Sequence, residues 1–176
     1  ADNIARAILP ERAQIPVTLV TDGNLFLERV LQANALVDLT VTDAIPEEPI
    51  DGGILILHGE TGEVVPPGRV FVIQPQAATD LWDIGGTIEY PIVTEQDTDS
   101  DLLLHVRLDN VLMPEAMQLV PQGEHHVLVE SAEQHPLYFS MVRESGKVLV
   151  LTVNLERGDL PFCIVFAFMM TIAFFC

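Results

Sequence analysis

Positive charge is scarce in this chain. Eight lysines and arginines stand against 26 aspartates and glutamates, a formal net charge of −18. A surface of that sign repels phosphate backbones, so nucleic acid is excluded as a partner class. Docking on anionic lipid by charge is disfavoured for the same reason. A cation or a basic protein suits the balance, and so does an acidic surface that serves only solubility. Cysteine is scarcer still: Cys163 and Cys176 are the two in the chain. They have no CxxC or Cys/His spacing, which argues against zinc. On one helix they would lie too far apart along the axis to bridge. Signal-peptide character is also missing, because Ala1-Asp2-Asn3 opens no basic or apolar leader. We expect a piece of a longer protein.

Apolar residues, by contrast, are plentiful. At 49% they argue against disorder, and 176 residues can bury one proper core. Residues 1–15, with Pro10, read as a lead-in arm that includes a short extended stretch at Ile4 to Leu9. Residues 16–176 read as a single α/β domain. Val17 to Val20 is a short buried-strand pattern, and Thr21-Asp22-Gly23-Asn24 is a tight turn. Leu25, Leu27, Val30 and Leu31 then fall at helical spacing. Leu36 to Val41, Gly53 to Leu57 and Arg69 to Ile73 are three further strands. The second of these is apolar on both faces, as a central parallel strand should be. Strands separated by short helices or loops predict a mostly parallel sheet.

The second half has a different rhythm. Gly85-Gly86 breaks the chain before an edge strand at Thr87 to Val93, where Pro91 cannot donate to a ladder. Asp97 to Asp101 caps a short helix through Leu102, Leu103 and Val106. Ala116 to Val120 is a strand. His126 to Glu130, Pro136 to Val142 and Lys147 to Val153 form an antiparallel run, with a hairpin turn at Ser145-Gly146. Asp159 and Pro161 open a last apolar helix through Phe175. Its run of about 16 residues is short of the about 20 that a membrane span needs; it could be the truncated start of a span, but a buried helix packed on the sheet fits its length better. Exposed, Leu160 to Phe175 would invite self-association.

Candidate site residues follow from the sheet's polarity, because ligands bind at the carboxyl edge of open α/β sheets. Asp22, Gly23 and Asn24 lie there, and so do His58, Glu60 and Gln74. Asp22, His58 and Glu60 make a set suited to acid–base chemistry or a metal. Two roles are open to the first turn: a site loop, or a helix cap in which Gly23 supplies a positive φ. Asp97, Asp99 and Asp101 have the first ligand spacings of a calcium loop. Leu102 stands where its glycine is needed and Leu108 where its glutamate is, so an EF-hand is excluded and a solvated cap is the better reading. His125 and His126 face opposite sides of a strand and cannot chelate one ion together. His105 and His135 have no visible partners. Trp82, beside Asp80 and Asp83, could serve as a binding aromatic, but a lone tryptophan after a loop reads better as a packing anchor.

Five segments in order carry a family resemblance: Val20-Thr-Asp-Gly-Asn24 with Phe26-Leu27-Glu28, Gly52 to Gly59, Pro66-Pro67-Gly68 leading into Val70 to Ile73, Leu103 to Val111, and Val150 to Pro161. Together they resemble the glutamine-amidotransferase-like domain of bacterial BatA-like membrane proteins, which also carry a von Willebrand factor A domain. The resemblance implies a flavodoxin-like, class I amidotransferase-type fold with helices on both faces of a mostly parallel sheet and an antiparallel C-terminal extension. It also implies a membrane-associated parent chain. Enzymes of that class place a cysteine on a sharp strand-to-helix turn and activate it with a later histidine and acid. The corresponding turn here reads Gln74-Pro75-Gln76, and the loop after the late strand reads Asn154 to Asp159 with no His-x-Glu. The expectation is therefore a degenerate, non-catalytic module that needs no cofactor and binds a ligand, a protein partner or other domains of its parent. The alternative is a small-molecule hydrolase or metal-binding domain built on Asp22, His58 and Glu60.

Overall fold

The computed structural model describes residues 13–103, 106–108, 110–158 and 160. The extended stretch at Ile4 to Leu9, His105, the Asp159 cap, the apolar helix from Pro161 and both cysteines lie outside the described residues. Leu160, which opens that apolar stretch, is buried in the core.

Strands β1 (Ile15–Val20), β2 (Val37–Thr42), β3 (Ile54–His58) and β4 (Val70–Ile73) form as their apolar runs predict. Between β1 and β2 stands helix α1 (Leu25–Gln32), which buries Leu27 and Leu31. Next come β5 (Trp82–Glu89), β6 (Val93–Gln96), a 3₁₀ turn (Asp101–Leu103), β7 (Glu115–Pro121), β8 (His126–Ser131), β9 (Pro136–Arg143) and β10 (Gly146–Leu151). The main sheet has eight strands in the order β2-β1-β3-β4-β10-β9-β8-β6. The first five are mutually parallel, and β9, β8 and β6 extend them antiparallel. The parallel half has the order of a flavodoxin-like doubly wound sheet, with β10 as its fifth strand.

The two faces are covered differently, which corrects one expectation. On the first, Val17, Leu19, Ile54, Ile56, Phe71 and Ile73 pack with Leu27 and Leu31 of α1. Alternate residues Val20, Leu55, Leu57, Val70 and Val72 face the other way. There they meet Trp82, Met117 and Leu119 of a β5–β7 ribbon, with Ile45, Ile50 and Val65 from the crossover loops. Helices on both faces are thus not seen among the described residues. The β2–β3 and β3–β4 crossovers are short and carry Pro46, Pro49, Pro66 and Pro67, which leaves no room for a helix. The apolar surface that helices would cover goes to the ribbon instead.

Four smaller expectations also change. Thr87 to Val93 is not one strand: the chain leaves β5 at Tyr90 (φ +50) and restarts as β6 at Val93. Gly85 does not break β5 but sits in a bulge of its pairing with β7, between Ile84 and Gly86. The predicted helix after Asp97 is the single 3₁₀ turn Asp101–Leu103 among the described residues. In the β9–β10 hairpin the loop residues are Glu144 and Ser145, while Gly146 already pairs with Arg143.

Candidate functional site

All five parallel strands end on one edge. The segments after β1, β3, β4 and β10 gather there: Thr21 to Asn24, Gly59 to Glu63, Gln74 to Ala78 and Thr152 to Glu156. The strand order reverses between β1 and β3, and the crevice outside that reversal is where ligands sit in such sheets.

Across the reversal the Thr21 hydroxyl lies 3.1 Å from Nδ1 of His58. The same oxygen accepts the backbone N–H groups of Gly23 at 3.3 Å and Asn24 at 3.2 Å. With both lone pairs engaged, its proton points to His58, so Nδ1 accepts and Nε2 carries the hydrogen. That Nε2 is buried without a partner among the described residues. Burial holds the His58 pKa below the usual imidazole value, opposed by the charges of Glu156 and then Asp22. Asn24 caps α1, its Oδ1 accepting from Leu27 N at 3.0 Å. The turn therefore does what the capping reading expects, with Gly23 at φ +114.

Of the acid–base set, His58 is half-buried, whereas Asp22 and Glu60 are exposed. Asp22 acts on His58 through charge, and neither carboxylate hydrogen-bonds to it among the described residues. Nor do the three form a group that could hold a metal ion among the described residues. Sequence reasoning missed Thr21, although a threonine ending a strand before Asp-Gly-Asn was the available signal. It also missed Glu156, whose approach to His58 depends on β10 lying parallel in the sheet.

Gln74 ends β4 at φ +52, in the left-handed region that a side chain rarely adopts. Its N–H donates to Leu151 O at 2.7 Å, and only 8% of the residue is exposed. Its carboxamide has no hydrogen-bond partner among the described residues. The sharp turn expected at this point is present, and it presents an amide. Beside it the β10 loop is tied down by Asn154, whose Nδ2 donates to Glu115 Oε1 at 2.8 Å, and by Arg157, which pairs with Glu115 Oε2 at 3.1 Å.

A cavity of about 460 Å³ opens next to this turn, between the β3 and β4 loops. Gly59, Glu60, Thr61 and Gln76 line it, together with Ile45 and Ala77. Asp22, Asn24, His58 and Gln74 are not among its lining residues.

The remaining candidates are local. Asp97 Oδ2 is 2.7 Å from His126 Nε2, and Asp97 Oδ1 accepts from Asp99 N at 3.1 Å. The His126 bond is the main cause that lowers the Asp97 pKa. With its oxygens so used, Asp97 does not join Asp99 and Asp101 in a metal set, and no such set exists among the described residues. His125 turns to Gly123 O and packs edge-on against Phe139. His135 meets Gln118 at 3.3 Å. Trp82 is fully buried, donating to Ala77 O at 3.2 Å, as a packing anchor should.

The sheet order and these edge loops make a flavodoxin-like α/β fold with an antiparallel extension, and a glutamine stands on the sharp turn after β4. Among solved structures the chain is similar to the cytoplasmic protein STM3548 of Salmonella typhimurium, with TM-score 0.64 and 11% identity over 92% of this chain and 97% of that one. A protein assigned as a GMP synthase subunit from Thermoplasma acidophilum matches with TM-score 0.53 and 12% identity, over 94% and 97%. A protein assigned as ThuA-like from Bacteroides uniformis matches with TM-score 0.56 and 10% identity, over 99% and 94%. At these identities the likeness shows the fold. No protein-family model and no curated protein sequence matches the chain. No helix among the described residues is long and apolar enough to cross a membrane.

Proposed function

We propose that this chain is a non-catalytic recognition domain that binds a ligand at the carboxyl edge of its sheet. The observation that carries the reading is Gln74. Its backbone is left-handed, and by the resemblance its turn corresponds to the one at which enzymes of that class hold their nucleophile; a carboxamide cannot attack a carbonyl carbon as a thiolate does. It can still donate and accept hydrogen bonds to a bound molecule. Retention of a strained backbone without the nucleophile suits a site that recognises rather than reacts. The resemblance to BatA-like proteins adds, in this reading, a membrane-associated bacterial parent in which the domain meets other domains or a protein partner.

The rival hydrolase reading needs His58 as a base. Its Nδ1 is occupied by the Thr21 proton and its Nε2 is buried, so neither nitrogen is free to take a proton from water. The test is hydrolysis of glutamine and of activated esters by the purified protein and by His58→Gln. The proposal expects background rates from both. Turnover by the wild type that His58→Gln abolishes would refute it.

A further inference from the structure

The eight-stranded sheet ends on β6 at one side and on β2 at the other, and the two ends are guarded differently. Strand β6 has four residues, and its pairing with β8 shifts register between Val93 and Glu95. A short, bulged strand discourages a further strand from adding. In the two-stranded ribbon, β5 is interrupted in the same way by its bulge at Gly85. Strand β2 has none of these devices. Its six residues, Val37-Asp-Leu-Thr-Val-Thr42, run in unbroken parallel register with β1 and include no proline, lysine or arginine. The bonds to β1 fix which backbone groups remain. Ile15 N donates to Leu36 O at 2.7 Å, and Thr21 N donates to Thr42 O at 3.1 Å. Bonding residues alternate along a parallel strand, so Asp38, Thr40 and Thr42 turn their backbone groups to β1, while Leu39 and Val41 turn theirs to the open edge. No further strand pairs there among the described residues. Leu39 is half-buried and Val41 is 43% exposed.

We propose that this edge pairs with the same edge of a second copy of the chain, giving a two-fold dimer with one continuous sheet. The edge is self-complementary, as a two-fold contact requires. Antiparallel pairing that sets Leu39 opposite Val41 of the second copy lets both residues exchange their N–H and C=O groups, with the two-fold axis beside Thr40. All of these bonds lie inside β2. A register centred on Leu39 would call on Val37 N, which already donates to Asn34 O at 3.0 Å, and one centred on Val41 would extend to Asp43, beyond the strand. In the Thr40-centred register no carboxylate faces another. Asp38 meets Thr42, and Leu39 meets Val41 on the face where Val37 joins the core. The exposed surface of Val41 is covered at the same time. A basic strand from another protein is the competing occupant. The second copy is favoured because the outward-turned residues are apolar and Asp38 is the one charge within β2. The net charge of −18 opposes association, so the dimer tightens as salt screens it. This dimer is independent of what the carboxyl edge of the sheet binds.

The experiment is sedimentation velocity of the whole chain from micromolar to millimolar concentration, at low and high salt, with Val41→Pro and Thr40→Cys alongside. The wild type should dimerise as concentration rises, and more readily in high salt. Val41→Pro removes a donor that faces the open edge and none that faces β1, so the sheet should stand while self-association weakens about tenfold or more. Thr40→Cys sets two thiols opposite each other at a non-hydrogen-bonded pair, where Cα atoms lie about 4.5 Å apart, within disulfide reach. Mild oxidation should therefore link two copies through position 40, read by peptide mapping against the wild type as the control for Cys163 and Cys176. A monomer at every concentration overturns the inference. So does a dimer that folded Val41→Pro leaves intact, and so does a Thr40→Cys sample without the 40-to-40 link. If Val41→Pro does not fold, the concentration series and the link decide between the same outcomes. A monomer whose Leu39 and Val41 amides shift in NMR when a capped Lys-Val-Lys-Val peptide is added assigns the edge to a basic partner strand and overturns the dimer.

Discussion

The Thr21 hydroxyl joins the two strands that flank the reversal of the sheet: it donates to Nδ1 of His58, 3.1 Å away, while accepting the N–H groups of Gly23 and Asn24. One oxygen thus satisfies the first turn of the chain and sets the tautomer of the histidine that ends β3. Thr21→Val removes all three bonds and leaves buried groups unpaired, so it should cost about 2 kcal/mol, whereas Thr21→Ser should cost well under half of that. Chemical denaturation of the two variants measures the difference. Asn24→Ala, which loses the helix cap, should cost about 1 kcal/mol by the same method.

Protonation of His58 requires Nδ1 to donate to an oxygen whose lone pairs are already taken. Its pKa in the folded protein lies below 6.5 because burial outweighs the charges of Glu156 and Asp22. A depressed pKa means that the folded state binds its proton less readily than the unfolded chain does. The contribution to stability is therefore fully present above the unfolded value and is lost as pH falls through the folded one. The melting temperature should decline as pH drops below 6.5, with a shallower decline in His58→Gln. Equal slopes in the two proteins would remove His58 as the cause.

Gln74 holds φ +52 at the end of β4. Asparagine tolerates this region better than most residues, and a β-branched side chain tolerates it worst. Gln74→Asn should stay within about 0.5 kcal/mol of wild type, and Gln74→Val should lose about 2 kcal/mol. Denaturation midpoints of the pair check the expectation.

Two glycines separate strain from collision. Gly23 (φ +114) has open space around the position a Cβ would take, and Gly146 (φ +136) does not. There a Cβ would run into the backbone carbonyl of Gly68, whose N–H donates to Ser145 O at 2.7 Å. Gly23→Ala should cost about 1 kcal/mol, the strain alone. Gly146→Ala should cost about 3 kcal/mol or more, since two backbone segments must part. Thermal melts of both variants are sufficient.

Much of the fold is legible in the sequence wherever a strand is apolar throughout. Ile54 to Leu57 and Val70 to Ile73 can only be central strands, and Leu27 and Leu31 mark the buried side of α1. Legibility fails where pairing over long separations decides. Val148 to Leu151 reads as the last strand of an antiparallel run, yet its other edge joins β4 in parallel and completes the five-stranded half. Gly85-Gly86 reads as a break, because a bulge within a ribbon leaves no local mark. The site is legible to the same degree. The carboxyl-edge logic places Asp22, Asn24, His58 and Gln74 in the loops after β1, β3 and β4, where the structure has them. It does not find Glu156, since a charge felt across the sheet exists only after folding.

The central claim is that the turn at Gln74 recognises without reacting. A chloroketone analogue of glutamine alkylates the nucleophile of an active glutamine site, so intact-mass analysis with peptide mapping reads the claim directly. The account predicts no adduct within residues 58–78 or 152–158 after prolonged exposure at neutral pH. A stoichiometric adduct on His58 or another residue of those loops, suppressed by excess glutamine, would contradict it.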